Sequence, residues 1–120
     1  MTLTLPFPPS TNTAYANVRG RRVKTKKARE YTESTQAACM EQARLNRPNP
    51  PPVARLAVRL DLHPPRNGRS DIANYEKLAV DAVFTYLGID DSLIDDLRIV
   101  RHAVEKPGRL VMTITELQHA

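Results

Sequence analysis

Arg69-Ser70-Asp71-Ile72-Ala73-Asn74-Tyr75-Glu76-Lys77 brings a cation, a carboxylate, an amide and a lysine to the start of an expected helix. Asp90-Asp91 follows about one helix length later. Separated carboxylates that meet in space can hold a divalent cation such as Mg²⁺, which prefers oxygen ligands. A lysine beside them, in a basic chain, points to a phosphodiester substrate. Ala73 stands where a further carboxylate would complete the cluster.

The same residues have plainer readings. Asn74, Lys77 and Asp81 fall at i, i+3 and i+7, with position 73 on the same polar stripe. Helix periodicity alone favours a solvated face, or a structural Lys77–Asp81 i,i+4 ion pair. Asp90, Asp91, Asp95 and Asp96 fit a solvated loop, with Asp91 capping a short turn at Ser92-Leu93. The functional alternative has Asp90 or Asp91 reaching back to Asp71. No serine-centred elbow and no glycine-rich phosphate loop is present. His63, His102 and His119 are scattered, and His102, in an expected strand, reads as structural.

The elements that must position this chemistry follow from patterning. Leu3, Leu5 and Phe7 alternate with polar residues and proline, predicting a short strand with Pro6 at its end or at an edge position. Residues 8–12 read as an extended turn, and Arg19-Gly20-Arg21-Arg22 as a loop or hairpin. Thr25 can cap a helix running to about Leu45, with Ala28, Tyr31, Thr35, Ala38, Cys39, Gln42 and Leu45 on one stripe. Cys39 lies on that stripe and reads as a packed thiol. Residues 47–52 form a stiff proline-rich linker within the domain.

Val53 to Leu62 predicts a strand with Leu56, Val58, Leu60 and Leu62 on one face and Ala57, Arg59 and Asp61 on the other. Residues 64–69 are a basic loop. Ile72 to Leu87 predicts a largely buried second helix, ended by Gly88. Ile72, Tyr75, Ala79, Ala82, Val83 and Tyr86 mark one of its faces. Leu97 to Val104 and Leu110 to Thr115 read as strands joined by a type II turn at 106–109. The order β-(β)-α-β-α-β-β predicts an α+β fold: a small mixed sheet with two main helices packed on it.

Length and composition set the bounds. The 120 residues make one domain, 1–120, with 41% hydrophobic side chains, enough for a modest core. Two phenylalanines, four tyrosines and no tryptophan disfavour a base-stacking platform. Net charge is +5 and uneven: residues 1–50 carry +6, residues 51–120 carry −1. A basic half beside an acidic cluster fits a surface that holds nucleic-acid phosphates while a metal site works on one of them. One cysteine excludes an internal disulfide and a thiolate zinc site. No apolar run reaches membrane-spanning length and the N-terminus lacks a secretory pattern, so a cytoplasmic protein without membrane contact is expected.

At these residues the chain resembles the RusA-type Holliday-junction resolvases. The likeness covers Leu5-Pro6-Phe7-Pro8-Pro9-Ser10-Thr11-Asn12, the basic segment Lys24 to Arg29 and the strand Leu56 to Leu62. It continues through Arg69 to Lys77, Asp81-Ala82, Ile89-Asp90-Asp91 and Gly108 to Glu116. The family motif is Asp-x-Asp-Asn-x-x-Lys, then Asp-Asp after the helix. Asp71 matches its first metal-binding aspartate, Asn74 and Lys77 its asparagine and lysine. Asp91 matches the last essential aspartate, with Asp90 beside it.

Ala73 replaces the second essential aspartate. Either the chain is a natural, degenerate member or an aspartate was replaced to stop cleavage while keeping DNA binding; the intact flanking residues favour replacement. The resemblance implies a Mg²⁺-dependent or Mn²⁺-dependent homodimer that binds four-way DNA junctions and cuts two strands symmetrically in recombination and repair. It implies Asp71, Lys77 and Asp91 as catalytic residues, and Asp71, Asp91 and Asp90 as metal ligands. Arg19, Arg21, Arg22, Lys24, Lys26, Lys27, Arg66, Arg69 and Asn74 would contact DNA, the cations through its phosphates. This form would bind junctions and cleave them poorly. The alternative is a DNA-binding protein that kept the fold and lost catalysis.

Overall fold

The computed structural model describes residues 1–46 (side chains through 42), 54–68 and 71–117. The chain runs β1 (Thr2–Pro6), a single-turn α1 (Thr11–Ala14), β2 (Tyr15–Val18), β3 (Arg21–Lys24) and α2 (Lys26–Asn46). Then follow β4 (Leu56–His63), a 3₁₀ turn (Ile72–Tyr75) leading into α3 (Glu76–Leu87), a second 3₁₀ turn (Asp91–Leu93), β5 (Ile94–Arg101) and β6 (Arg109–Glu116). The main sheet has the order β1-β6-β4-β5 and is mixed. β4 lies antiparallel to β6 and parallel to β5, and β6 lies antiparallel to β1. The expected α+β class is observed.

Alternation makes the core. Leu56, Val58, Leu60 and Leu62 of β4 are buried on one face, as predicted, with Leu110, Met112 and Ile114 of β6 and Leu3 and Leu5 of β1. α2 and α3 cover that face through Ala28, Tyr31, Cys39, Leu78, Ala79, Val80, Val83 and Phe84. Each fully buried large apolar side chain contributes about 1.5–3 kcal/mol of transfer free energy. The Thr25 hydroxyl accepts the Ala28 N–H at 3.3 Å, so the predicted cap holds the start of α2. Gln42, on the α2 stripe, clamps β1: its side chain accepts the Thr4 N–H (2.8 Å) and donates to the Thr4 carbonyl (2.7 Å). Gly88 adopts the left-handed conformation (φ 69°) that ends α3.

Several boundaries differ from the patterning. The turn expected at 8–12 becomes helical at Thr11. The expected helix Ile72–Leu87 is a 3₁₀ turn followed by an α-helix from Glu76, so the break falls inside the motif. Tyr86 is exposed rather than part of the packed face. β5 starts three residues before the expected Leu97 and ends three before Val104. Asp95 and Asp96 sit in this strand although aspartate disfavours β structure. Arginines flank them: Arg55 Nε donates to Asp95 at 3.0 Å, and Arg98 Nε to Asp96 at 3.4 Å.

His102 falls one residue past β5, its N–H donating to the Leu62 carbonyl at 2.8 Å. The Lys106–Pro107 bond is cis, which the expected type II turn does not contain. The three histidines are not all scattered: His63 and His102 stack with ring centroids 4.7 Å apart, and His102 meets Asp61 at 2.7 Å. The linker 47–52, Val53, the Leu45 side chain, Arg69, Ser70 and His119 lie outside the described residues. Among the described residues no helix is long and apolar enough to cross a membrane.

Candidate nucleic-acid site

The motif turn is held from the N-terminal segment. The Thr11 hydroxyl donates to the Asn74 carbonyl at 2.8 Å, and the Phe7 ring packs against Tyr75 at 5.0 Å between centroids. Tyr31 on α2 donates to the Pro6 carbonyl at 2.9 Å, fixing the approach of that segment. The Asn74 N–H donates to the Asp71 carbonyl at 3.0 Å, while the Asp71 carboxylate makes no capping bond. That carboxylate is exposed, as is Ala73, while Asn74 is half-buried.

Lys77 sits one residue into α3 and meets Asp81 at 3.4 Å. The i,i+4 pair read from periodicity therefore forms. Lys77 also stands in a larger charge cluster. The Asp81 carboxylate holds the Lys77 ammonium above its usual pKa, with Tyr15 and Asp91 adding to the effect. Glu76 is half-buried; burial pushes its carboxyl above the usual range, Asp81 and Asp91 push further, and Lys77 opposes them. Asp91, which follows α3 in the chain, thus acts on the charges at the start of that helix. Lys77 keeps a half-exposed ammonium with its proton secured, positioned to neutralise an oxyanion.

Two residues here escape sequence reasoning. Tyr15 reaches the cluster from β2, and the Arg22 guanidinium covers its ring at 4.5 Å. The Tyr15 hydroxyl is buried without a hydrogen-bond partner among the described residues, and burial, then Asp81, raises its pKa. Nothing in the local sequence pairs residue 15 with residue 77; only the fold does. Glu76 was visible in the motif string, but its burial and its exposure to Asp91 were not.

Asp90, not Asp91, caps the short turn after α3: its carboxylate accepts the Ser92 N–H at 2.9 Å, which lowers its pKa. Asp91 is the first residue of that turn and is exposed. Among the described residues no group of three or more His, Cys, Asp or Glu side chains is gathered to hold a metal. Ala73 offers only a methyl group, which cannot ligate a cation. As placed, the described carboxylates are not gathered into a set that fits a divalent ion.

The cations expected at DNA divide between two places. Arg19, Arg21, Arg22 and Lys24 lie on the β2–β3 hairpin, and Lys26 follows at the start of α2; all are exposed. Lys27 and Arg66 line an open cleft of about 800 Å³ together with Phe7, Pro65, Tyr75 and His102.

A cation-rich hairpin beside a lysine held among carboxylates is equipment suited to a phosphodiester-handling domain. The family model described as endodeoxyribonuclease RusA matches residues 6–115. The chain is 38% identical over 117 residues to the crossover junction endodeoxyribonuclease RusA of Escherichia coli O139:H28, covering 96% of this chain and 93% of that protein. Identity is 37% to the protein of the same name from Escherichia coli K12 and 35% to that of Enterobacteria phage 82, over the same shares. The chain belongs to the RusA family of endodeoxyribonucleases.

Proposed function

We propose that this chain binds four-way DNA junctions as a homodimer and, because of Ala73, cleaves them poorly. The observation that carries the reading is the family match over residues 6–115; the motif resemblance reads Asp71, Asn74, Lys77 and Asp91 as retained and Ala73 as the place of a lost carboxylate. Asp71 and Asp91 are the retained part of a divalent-cation set for Mg²⁺ or Mn²⁺, with Asp90 secondary because it is engaged as a cap. Lys77, pinned by Asp81, stabilises negative charge on a phosphate brought to the start of α3. Asn74, fixed through Thr11, offers its side-chain amide to the strand. Arg19, Arg21, Arg22, Lys24, Lys26, Lys27 and Arg66, with Arg69, hold the arms by their phosphates.

Ala73 favours a second reading, a protein that keeps the junction-binding fold as a non-catalytic DNA binder. Restoring the carboxylate at position 73 separates the two. Binding itself is tested by competition gel shift between a four-way junction and a linear duplex of the same sequence. The junction should win, and affinity should fall steeply with salt as counterions are released. Equal affinity for both DNAs would sink the proposal.

A further inference from the structure

Among the described residues the β2–β3 hairpin pairs with no other strand, forming a two-stranded sheet of its own. At its base the Thr25 N–H and hydroxyl donate to the carbonyls of Ala14 (2.9 Å) and Thr13 (2.8 Å), Arg29 donates to the Lys24 carbonyl (2.9 Å), and Tyr15 packs against the core. Its turn, Arg19-Gly20, has φ 50° and 75°, the left-handed pair that lets a two-residue loop follow strand twist. A two-stranded hairpin alone is marginal in water, so its faces matter.

Register sorts the residues. Tyr15 pairs with Lys24 and Asn17 with Arg22, and this face looks to the Lys77–Asp81 cluster. Ala16 pairs with Val23 and Val18 with Arg21, and this second face is uncovered. Val18 is 50% and Val23 38% exposed, and Ala16 is exposed between them. Residues 15–24 include four cations and no carboxylate. A second copy of this hairpin set against it would bring like charge to like charge, whereas the cations complement a polyanion. A continuous duplex buries its base-pair faces in the stack; a four-way branch point with its arms unstacked presents them. Apolar side chains carried on a cationic element are suited to such a face.

We propose that the Ala16–Val18–Val23 face packs on the open base-pair face at the branch point, and that this contact supplies the preference for junction over duplex. The inference rests on the junction-binding reading above. Arg19 and Arg21, beside the wedge, and Lys24 on the opposite face grip the flanking phosphates of any duplex equally.

The test compares the full chain with the double variant Val18→Ser/Val23→Ser, and with Arg21→Gln. Affinities for a four-way junction and for a linear duplex are measured at one salt concentration, with 2-aminopurine at the branch point. Both valines are exposed, so the fold should persist, as circular dichroism will show. The valine variant should lose about tenfold in junction affinity. Its duplex affinity should stay within about twofold of the parent's, and it should not raise 2-aminopurine emission as the parent does. Arg21→Gln should weaken both DNAs alike. If the parent itself shows no junction preference, the underlying functional reading fails. If the parent prefers junctions and the valine variant keeps both that preference and the emission rise, only the wedge is overturned. A valine variant that converts a dimer to a monomer by light scattering makes this face a subunit contact and also overturns it.

Discussion

Ala73→Asp isolates one carboxylate in the candidate site. Ala73 is exposed on the 3₁₀ turn before α3, so the new side chain displaces no core atom. Aspartate is a poorer helix former than alanine by about 0.5–0.7 kcal/mol. An attraction to Lys77 four residues on returns about 0.3–0.5 kcal/mol. Stability should change by about 0.5 kcal/mol or less, a Tm shift of roughly 2–3 °C. Function should move much further. On the proposed reading of Asp71 and Asp91 as ligands, a third carboxylate should supply about 3–4 kcal/mol of transition-state stabilisation, roughly a hundredfold to a thousandfold in rate.

The assay is single-turnover resolution of an end-labelled four-way junction with Mg²⁺ or Mn²⁺. The variant should produce paired nicks, and Asp71→Asn or Asp91→Asn added to it should abolish them. Titrating Mg²⁺ without DNA should raise the Tm of Ala73→Asp and leave that of the present chain unchanged, because only a bound ion stabilises the folded state. Junction affinity of the present chain should equal or exceed that of the variant, which adds negative charge near phosphates. If the present chain already resolves junctions as fast as Ala73→Asp, position 73 is not a ligand and the motif alignment is wrong.

Three further outcomes are expected. The Glu76 carboxyl has a folded pKa above its usual 4.5, chiefly through burial, so the folded state binds more protons in the window above that value and stability declines as pH rises through it. Glu76→Gln removes that decline, so denaturation midpoints should match the parent's in acid and exceed them at neutral pH; parallel curves would refute the placement of Glu76. Gly108→Ala should cost about 2–4 kcal/mol in chemical denaturation, since Gly108 has φ +93° and an added Cβ would stand 2.8 Å from Pro65 Cδ; a variant as stable as the parent contradicts that close approach. Light scattering should show a dimer, because two symmetric cuts need two sites related by a two-fold axis; a lone 13.5 kDa species at micromolar concentration contradicts it.

Much of the scaffold was legible because it depends on local periodicity. The β4 alternation, the Thr25 cap, the α2 stripe and the Gly88 stop each rest on neighbouring residues and each was observed. Boundaries failed where distant partners intervene. Ile94 to Asp96 joins β5 because β4 offers a parallel ladder and arginines flank the two aspartates. The motif turn stays 3₁₀ where Thr11 and Phe7 hold it, from more than sixty residues away in sequence.

By itself the sequence determined the chemical inventory: a basic first half, the Asp71-Ile72-Ala73-Asn74 segment with alanine at 73, Lys77 and its Asp81 partner one helical turn on, and Asp90-Asp91 after the helix. These are matters of residue type and short-range spacing. Only the tertiary structure decided that Asp90 is spent as a cap and that Asp91 acts on Lys77 and Glu76. It alone brought Tyr15 and Arg22 to the same cluster and left one hairpin face open to solvent. Charge, burial and solvent exposure at a point are sums over everything nearby in space, and chain order does not fix what is nearby.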